Sequence, residues 1–244
     1  ACLCPASAPY WMPALGSAFA ILFGKMPFGG LGKNLLNPAA LGWGLLAVCF
    51  PKIFFQYPSL KSYQFLSFGN TPEYTAAPSL AAALKDTALS PQNAFDILLS
   101  RISGPLGCTA VLILFACAIF LLQRKLIHPR IPISFLAAVA VISLLFPRST
   151  NLPLFSLIYE LSAGSLLFCA VFMATDPVTA PKFHCSQIIY GAGCGVFTML
   201  LRFFGPFEQG APLALLVMNA LAPLLDHTVL WMKNRKKTNR QKPE

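Results

Sequence analysis

The chain of 244 residues is strongly apolar: 56% of its residues are hydrophobic, 11% are charged, and the formal net charge is +10. This composition excludes a soluble globular domain, because an aqueous surface needs more polar side chains than the chain supplies. It also argues against a nucleic-acid partner, because no basic run is interleaved with the aromatic residues on which bases stack. The lipid bilayer is therefore the predicted environment of the protein.

Largely uncharged stretches, long enough for transmembrane or half-transmembrane helices, recur along the whole chain. The hydrocarbon core of a bilayer, roughly 30 Å thick, requires about 20 helical residues. We identify seven candidates, at residues 10–23, 37–50, 105–122, 131–146, 154–173, 188–204 and 211–232. The sequence thus predicts an all-α, polytopic membrane protein in which residues 1–244 form a single integral membrane domain.

The first two candidates are short and are joined by the glycine-rich turn 28–34. Short segments interrupted by glycine or proline are typical of broken or re-entrant helices, which expose backbone only where protein or a cavity surrounds it. A tight turn followed by a helix with Pro38 at its first position explains the same residues. Both interpretations remain open at this stage.

Basic residues indicate the orientation of the chain, because Lys and Arg accumulate in cytoplasmic loops. The basic tail 233–244 places the C-terminus in the cytoplasm, and counting helices backwards places Lys182, Arg124 and Lys25 on the same side. The long connection 51–104 is then predicted to be extracytoplasmic. The chain begins without Met and without the basic flank of a signal peptide, so we expect a fragment or a short relative of longer proteins.

Carboxylates at membrane helices are costly and usually handle ions or ligands. Asp176 follows Thr175 and precedes Pro177, and such oxygen-rich surroundings suit a hard cation such as Na⁺. An aspartate before proline also often caps a turn. Asp226, beside His227, is the second candidate for a Na⁺ or H⁺ path, and pairing with the basic tail is its alternative.

Other charged, glycine and cysteine residues have simpler interpretations. Glu160 is predicted near enough to the outer membrane edge to reach water, and Arg202 is predicted to be an anchor that extends to that edge. Gly191 and Gly195 lie about one turn apart and predict close helix packing. The eight cysteines include no C-x-x-C pair, so we interpret them as packing residues rather than metal ligands.

Four separated stretches, residues 23–39, 130–136, 172–181 and 190–226, together resemble one family of membrane subunits. They include the segments Phe28-Gly29-Gly30, Asn34, Asn37-Pro38-Ala39 and Thr175-Asp176-Pro177-Val178-Thr179. Their order and spacing are similar to those of the D subunit of the Rnf ferredoxin:NAD oxidoreductase complex and of its relative, the B subunit of the sodium-pumping NADH:quinone oxidoreductase. Family members usually carry further helices before the region where this chain begins, so these seven segments would be the remainder of a larger helical set.

The resemblance implies a membrane-embedded electron carrier that couples electron flow to Na⁺ or H⁺ translocation. It implies flavin mononucleotide (FMN) or riboflavin as cofactor, and partners that include an extracytoplasmic flavoprotein and iron–sulfur subunits. The implied location is the cytoplasmic (inner) membrane of a bacterium or archaeon. Because the chain lacks a nucleotide-binding motif and cluster ligands, it would not act as an enzyme alone. The candidate flavin-binding residues near these motifs are Gly29, Gly30, Asn34, Asn37 and Thr175.

In the resembled family, FMN is attached through its phosphate to a threonine hydroxyl, in an acid-x-x-Ser/Thr-x-Ala-Thr motif on the outer face. Residues 72–80 match in two partial registers: one contains Thr75 but places Pro78 at the acceptor position, and the other uses Glu73 and places Ser79 there. A phosphoester needs a nucleophilic oxygen, so Ser79 is the first candidate and Thr75 the second. Loss of covalent flavin, with Ser79 as a plain helix N-cap, is the alternative.

Two departures from the family pattern favour a different class of function. The attachment motif is incomplete, and Gly107-Cys108-Thr109 stands where family members usually place Gly-Glu-Thr. The alternative function is therefore a flavin-free transporter, or a scaffold subunit with the same fold. Bound flavin would discriminate between the two classes.

Overall fold

The structure, a computed structural model, describes residues 1–30, 32–58, 76–77, 79–80, 97, 102–148, 153–205 and 209–240. The chain opens with α1 (Trp11–Gly24), a 3₁₀ turn (Met26–Phe28), α2 (Pro38–Cys49) and α3 (Pro51–Phe54). Two short strands, β1 (Tyr57–Pro58) and β2 (Ala76–Ala77), pair antiparallel. The remaining helices are α4 (Val111–Gln123), α5 (Arg130–Leu145), α6 (Pro153–Ser162), α7 (Leu166–Phe168) with its π-helical continuation (Cys169–Met173), α8 (His184–Phe204) and α9 (Ala211–Arg240).

These helices confirm an all-α membrane protein. In the described part of the chain, α8 and the first 25 residues of α9 are long and apolar enough to cross a bilayer, and α6 with α7 would form a third span bent by 66°. Helices α2, α4 and α5 are shorter and also apolar. Large hydrophobic side chains such as Phe115, Leu145 and Phe204 are exposed on the surface, as expected of residues that face lipid.

Helices α5 and α8 pack through the predicted glycine face. A Cβ on Gly191 would lie 2.6 Å from the Ile131 carbonyl oxygen, and one on Gly195 would lie 2.6 Å from Ala138 Cβ. These distances leave no room for a side chain, so the two helices approach to backbone contact. The prediction of close packing at Gly191 and Gly195 is confirmed.

Helices α1 and α2 form an antiparallel hairpin with an equally close approach. A Cβ on Gly42 would lie 2.5 Å from the Gly16 carbonyl oxygen. Pro38 is the first residue of α2, and the Asn37 side chain caps it. The structure therefore contains the tight turn and the proline-initiated helix, and the broken or re-entrant interpretation of these short helices stays a prediction.

The fifth predicted segment, residues 154–173, is predicted as one helix, and the structure divides it by a break. Helix α6 ends at Ser162, Gly164 adopts a left-handed backbone with φ 63°, and α7 begins at Leu166. The chain then widens into a π-helix in which the Ala174 N–H donates to the Cys169 carbonyl at 2.7 Å. Glycine makes the left-handed position inexpensive, so this is where the helix changes direction.

Two predicted boundaries also differ from the structure. Helix α4 begins at Val111 rather than near 105, because residues 105–108 dock on the N-terminal segment, where Gly107 N–H donates to the Cys2 carbonyl at 2.8 Å. Helix α9 continues through Arg240, so the first part of the basic tail 233–244 is helical. Most of the predicted outer connection 51–104 lies outside the described residues.

Candidate functional site

The turn between α1 and α2 places the first group of predicted site residues. Gly29 and Gly30 both have φ 93°, a left-handed conformation that favours glycine. The Asn37 Oδ1 accepts hydrogen bonds from the N–H groups of Ala39 at 3.0 Å and Ala40 at 3.3 Å. Asn37 therefore satisfies the otherwise unpaired donors at the start of α2.

Asn37 also connects this turn to the second predicted motif. Its Nδ2 donates to the Met173 carbonyl at 3.3 Å, although the two residues are 136 positions apart. Met173 ends the π-helix, and Thr175 Oγ1 donates to the Val171 carbonyl at 2.5 Å. One buried side chain thus joins two of the four stretches on which the resemblance rests, while the Thr175 hydroxyl is used within its own helix turn.

Asp176 follows directly and is half-buried. Its Oδ1 accepts from the Val178 N–H at 3.2 Å, and its Oδ2 accepts from Thr179 Oγ1 at 3.3 Å. This is the turn-capping arrangement that was the alternative to a cation site. A carboxylate has about four lone-pair positions, so these two bonds leave acceptor capacity for a cation. The ion role of Asp176 stays a prediction.

A cavity of about 580 Å³ opens beside Asp176, between α1 and α2. Asn34, Asn37 and Lys25 line it together with Asp176, and Trp43 and Phe168 supply aromatic walls. The Trp43 Nε1–H is buried and lacks a hydrogen-bond partner among the residues that the structure describes. A cavity of this volume, with apolar walls and a few polar groups, is typical of a site for a small organic ligand or cofactor.

Among the described candidates, five do not line this cavity: Gly29, Gly30, Ser79, Thr175 and Asp226. Thr75 lies outside the described residues. Ser79 is buried, and its neighbour Leu80 packs in a small apolar cluster with Tyr159 and Ala163. Leu80 therefore lies against the break after α6, in a different place from the cavity.

Asp226 binds backbone at the start of α8. Its Oδ2 accepts from the Lys182 N–H at 2.9 Å and its Oδ1 from the Phe183 N–H at 3.4 Å. The carboxylate of α9 thereby caps the positive end of α8, where a negative charge is favourable. This capping role was not predicted from the sequence, and the ion path through Asp226 stays a prediction.

The predictions for Glu160 and Arg202 were wrong, because these residues form a buried ion pair. The Arg202 Nη1 lies 2.6 Å from Glu160 Oε2, and the two side chains are 2% and 1% exposed. Arg202 also donates to the backbone carbonyls of Glu160 and Ala163, each at 2.7 Å. These carbonyls belong to the C-terminal end of α6, so the guanidinium satisfies acceptors that the break exposes.

A polar stripe along the buried face of α8 was not predicted. Its members are four residues apart, and all are buried: Tyr190, Cys194, Thr198 and Arg202. The Tyr190 hydroxyl donates to Asn219 Oδ1 of α9. The signal available in the sequence was the repeat of polar or polarizable residues every fourth position.

Four of the eight cysteines are buried, as the packing interpretation expects, whereas Cys2, Cys49 and Cys185 are exposed. Cys4, Cys108, Cys169 and Cys194 are buried as free thiols. Within the described residues, no group of three or more His, Cys, Asp or Glu side chains is arranged to hold a metal ion.

Known proteins are similar in sequence to most of this chain. A family model described as the NQR2, RnfD, RnfE family matches residues 1–233. The chain is 34% identical to the B subunit of the Na(+)-translocating NADH-quinone reductase of Chromohalobacter salexigens, over 93% of this chain and 55% of that protein. It is 31% identical to the D subunit of the Na(+)-translocating ferredoxin:NAD(+) oxidoreductase complex of Acetobacterium woodii, over 91% of this chain and 66% of that protein.

A third relative is the D subunit of the proton-translocating ferredoxin:NAD(+) oxidoreductase complex of Clostridium ljungdahlii, 32% identical over 92% of this chain and 68% of that protein. The chain spans about half the length of the NADH-quinone reductase subunits that it matches. The family match covers the turn, the Asp176 motif and the α8–α9 region that build the site. On this evidence the chain belongs to the NQR2, RnfD, RnfE family.

Proposed function

We propose that the chain is a flavin-carrying membrane subunit of an Rnf-type ferredoxin:NAD oxidoreductase complex. It passes electrons within the membrane and helps to couple them to the translocation of Na⁺ or H⁺. The observation that carries the proposal is the cavity of about 580 Å³, which brings Asn34, Asn37, Trp43 and Asp176 together from separate parts of the chain. The names of the relatives, which include sodium- and proton-translocating oxidoreductases, support the same class of function.

The residues that line the cavity fit the isoalloxazine ring of FMN or riboflavin. Trp43 and Phe168 offer aromatic faces for a planar ring, and the buried Trp43 N–H has no partner within the described residues. The Asn34 carboxamide and the Lys25 ammonium offer polar contacts at the same cavity. A bound flavin supplies one- and two-electron chemistry, while these residues would hold the ring and exclude water.

Asp176 is the residue that would connect the flavin site to a cation. Its carboxylate lines the flavin cavity and retains free acceptor positions. When the ring takes up an electron, its added negative charge lies close to the Asp176 carboxylate. The two negative charges then attract a cation together, which favours its entry. This proximity supports cation coupling. Asp226 serves the same path only if its cap on α8 opens.

A second flavin site, for FMN bound through its phosphate, is proposed on the outer connection at Ser79. The supporting contact is between its neighbour Leu80 and the end of α6. The chain would depend on partners to supply and remove electrons, namely an extracytoplasmic flavoprotein and iron–sulfur subunits. The proposed location is the cytoplasmic membrane of a bacterium or archaeon, with the C-terminus in the cytoplasm.

One observation favours the alternative, a flavin-free transporter or scaffold subunit. The span formed by α6 and α7 is bent by 66° at its break, and broken helices are typical of transporter binding sites. In such a protein the cavity between α1 and α2 would hold solute or lipid, and purified complex would contain no flavin.

Narrowing the cavity tests the proposal. Ala39 lines the cavity, whereas Ala18 is an exposed residue of α1 that does not line it. In the intact complex, we expect Ala39→Phe to release less flavin per complex than the wild type on acid denaturation, but not none, because the partner flavoprotein keeps its own flavin. Ala18→Phe adds the same side chain elsewhere and should release as much as the wild type. Equal flavin release from both variants would contradict a flavin in this cavity.

A further inference from the structure

Three charged side chains are buried together at the predicted outer end of the helices. They are Glu160 at the end of α6, Arg202 at the end of α8, and Arg148 in the connection after α5. The Arg148 Nε lies 3.4 Å from Glu160 Oε1, and the Arg148 side chain is 10% exposed. Among the described residues, two guanidinium groups face one carboxylate, which leaves this cluster with one surplus positive charge.

The surplus charge is matched by unused hydrogen-bond donors. Arg148 Nη2 and Arg202 Nε are buried and have no hydrogen-bond partner in the described part of the chain. The Arg148 guanidinium also stacks on the Phe203 ring at 4.3 Å, which fixes its plane. Burial lowers the pKa of Arg148, as expected for a cation with incomplete compensation. An uncompensated buried charge is expensive, so the cluster calls for an anion.

Two groups of described residues in the outer connection lie near this cluster. On one side, Leu80 shares its apolar cluster with Tyr159 and Ala163, the residues that flank the Glu160 end of α6. On the other side, the backbone of Arg202 lies beside Gly210, where a Cβ would be 3.6 Å from the Arg202 nitrogen.

Gln209 continues that second side. Its Nε2 donates to the Tyr57 hydroxyl at 2.6 Å, and Tyr57 pairs with Ala77 across the two short strands. Ser79 lies two residues beyond Ala77 and one before Leu80. Ser79 therefore lies between Leu80, which contacts the end of α6, and the strand pair that Gln209 joins to the end of α8.

We propose that Arg148 and Arg202 bind a singly charged phosphate diester, that of FMN on Ser79. The Ser79 oxygen would receive the FMN phosphoryl group from a flavin dinucleotide, whose pyrophosphate bond breaks, and the nucleoside monophosphate leaves with the hydroxyl proton. One such group would neutralise the cluster, and guanidinium groups bind phosphate oxygens through paired N–H donors. The inference rests on the proposed function, because it assigns the phosphate position of the outer flavin. A phospholipid headgroup carries the same phosphate diester and is the second source of this chemistry.

A double-mutant cycle in the intact complex tests this assignment. Arg148→Gln is the informative variant, because Arg202 also supports the α6 carbonyls and its replacement would disturb the fold. We expect Ser79→Ala to remove flavin fluorescence from the denatured polypeptide and to lower the thermal midpoint by roughly 4 °C. In the Arg148→Gln background, the same Ser79→Ala change should shift the midpoint little, because the surplus charge is already absent.

Lys52→Gln is the matched control, because Lys52 is exposed and its replacement removes one positive charge, as Arg148→Gln does. In the Lys52→Gln background, Ser79→Ala should lower the thermal midpoint as much as it does in the wild type. Suppose that the wild type carries covalent flavin and that the midpoint shifts of Ser79→Ala and Arg148→Gln are additive. The phosphate assignment is then overturned, while the flavin function stands.

The second arm of the test applies if the wild-type polypeptide carries no bound flavin. In that case, phospholipid is measured by mass spectrometry of the purified complex. Lipid retained by the wild type and by Lys52→Gln, but reduced at least about twofold in Arg148→Gln, supports the phosphate site with a lipid as its source. Equal lipid in all three proteins would overturn the site.

Discussion

The two aspartates of the predicted cation path have different structural partners. Asp176 binds within its own turn, through Val178 and Thr179, and faces the cavity. Asp226 accepts from two backbone N–H groups of another segment, Lys182 and Phe183. Loss of charge should therefore affect ion handling at the first position and the fold at the second.

Asp176→Asn should keep the turn, because the amide oxygen can still accept the Val178 N–H. We expect cation-coupled turnover to fall about tenfold or more, since a neutral amide is a poorer ligand for a hard cation than a carboxylate. Assembly of the complex should be unchanged. The measurement is Na⁺ or H⁺ uptake by proteoliposomes alongside electron transfer. Wild-type uptake by the variant would remove Asp176 from the path.

Asp226→Ala removes both acceptors from the start of α8 and should lower the free energy of unfolding by about 1–2 kcal/mol. Asp226→Asn keeps one acceptor oxygen and should cost less. Thermal unfolding of both variants in detergent checks this order. If Asp226→Ala is as stable as the wild type, the capping role is wrong. If Asp226→Asn is stable but fails to couple, Asp226 belongs to the cation path as well.

At the scale of elements, the contact between α5 and α8 depends on glycine at particular positions. A Cβ at Gly191 would collide with backbone, at 2.6 Å from the Ile131 oxygen. A Cβ at Gly193 would meet the Met218 methyl group at 2.5 Å, and that group ends a flexible side chain. The two glycines are two residues apart but face different neighbours.

Gly191→Ala should therefore destabilise the protein by about 1–3 kcal/mol, because the helices must separate to admit the methyl group. Gly193→Ala should cost clearly less, because Met218 can change rotamer. Thermal unfolding in one detergent compares the two directly. A larger loss for Gly193→Ala than for Gly191→Ala would contradict the packing described for α5 and α8.

The elements that could be predicted are those whose signal is local. The apolar stretches indicated the helices, Pro38 after Asn37 indicated the capped start of α2, and Gly191 with Gly195 indicated a packing face. The break after α6 was missed because Gly164 is one glycine in an apolar stretch. What stabilises the break is Arg202, which is 38 residues away, and no local pattern reveals that contact.

The sequence also predicted only part of the candidate site. Asn34, Asn37 and Asp176 were identified from their motifs, and the structure brings them to one cavity. Trp43 was not identified, because a tryptophan within an apolar helix looks like an ordinary packing residue. Glu160 and Arg202 were assigned to the membrane edge because each was considered separately. Their pairing is a long-range contact between α6 and α8.

For the whole molecule, the central prediction is the orientation in the membrane. Every statement that a residue is cytoplasmic or extracytoplasmic depends on it. Cys49 at the end of α2 and Cys185 in the first turn of α8 are both exposed. The positive-inside rule places Cys49 outside and Cys185 inside. The outer flavin and the inner basic tail both depend on this assignment.

Single-cysteine variants test the orientation with a membrane-impermeant maleimide. Cys49 should be labelled in intact cells, and Cys185 only after permeabilisation. Cys4 is a protected control on the outer side, because burial raises the pKa of its thiol and leaves little reactive thiolate at neutral pH. The labelling of Cys4 should increase with pH, because more of its thiol is then ionised. Labelling of Cys185 but not Cys49 in intact cells would invert the topology.

The flavin content of the wild-type chain within its complete complex tests the central claim most directly. The complex is purified in mild detergent and denatured in acid, and the flavin absorbance of the released and polypeptide-bound fractions is measured separately. We expect released flavin from the cavity beside Trp43 and Asp176, and a bound fraction if Ser79 carries FMN. The account would be contradicted if this chain's own polypeptide carries no flavin and the released fraction is unchanged in Ala39→Phe, because all flavin would then belong to the partner subunits.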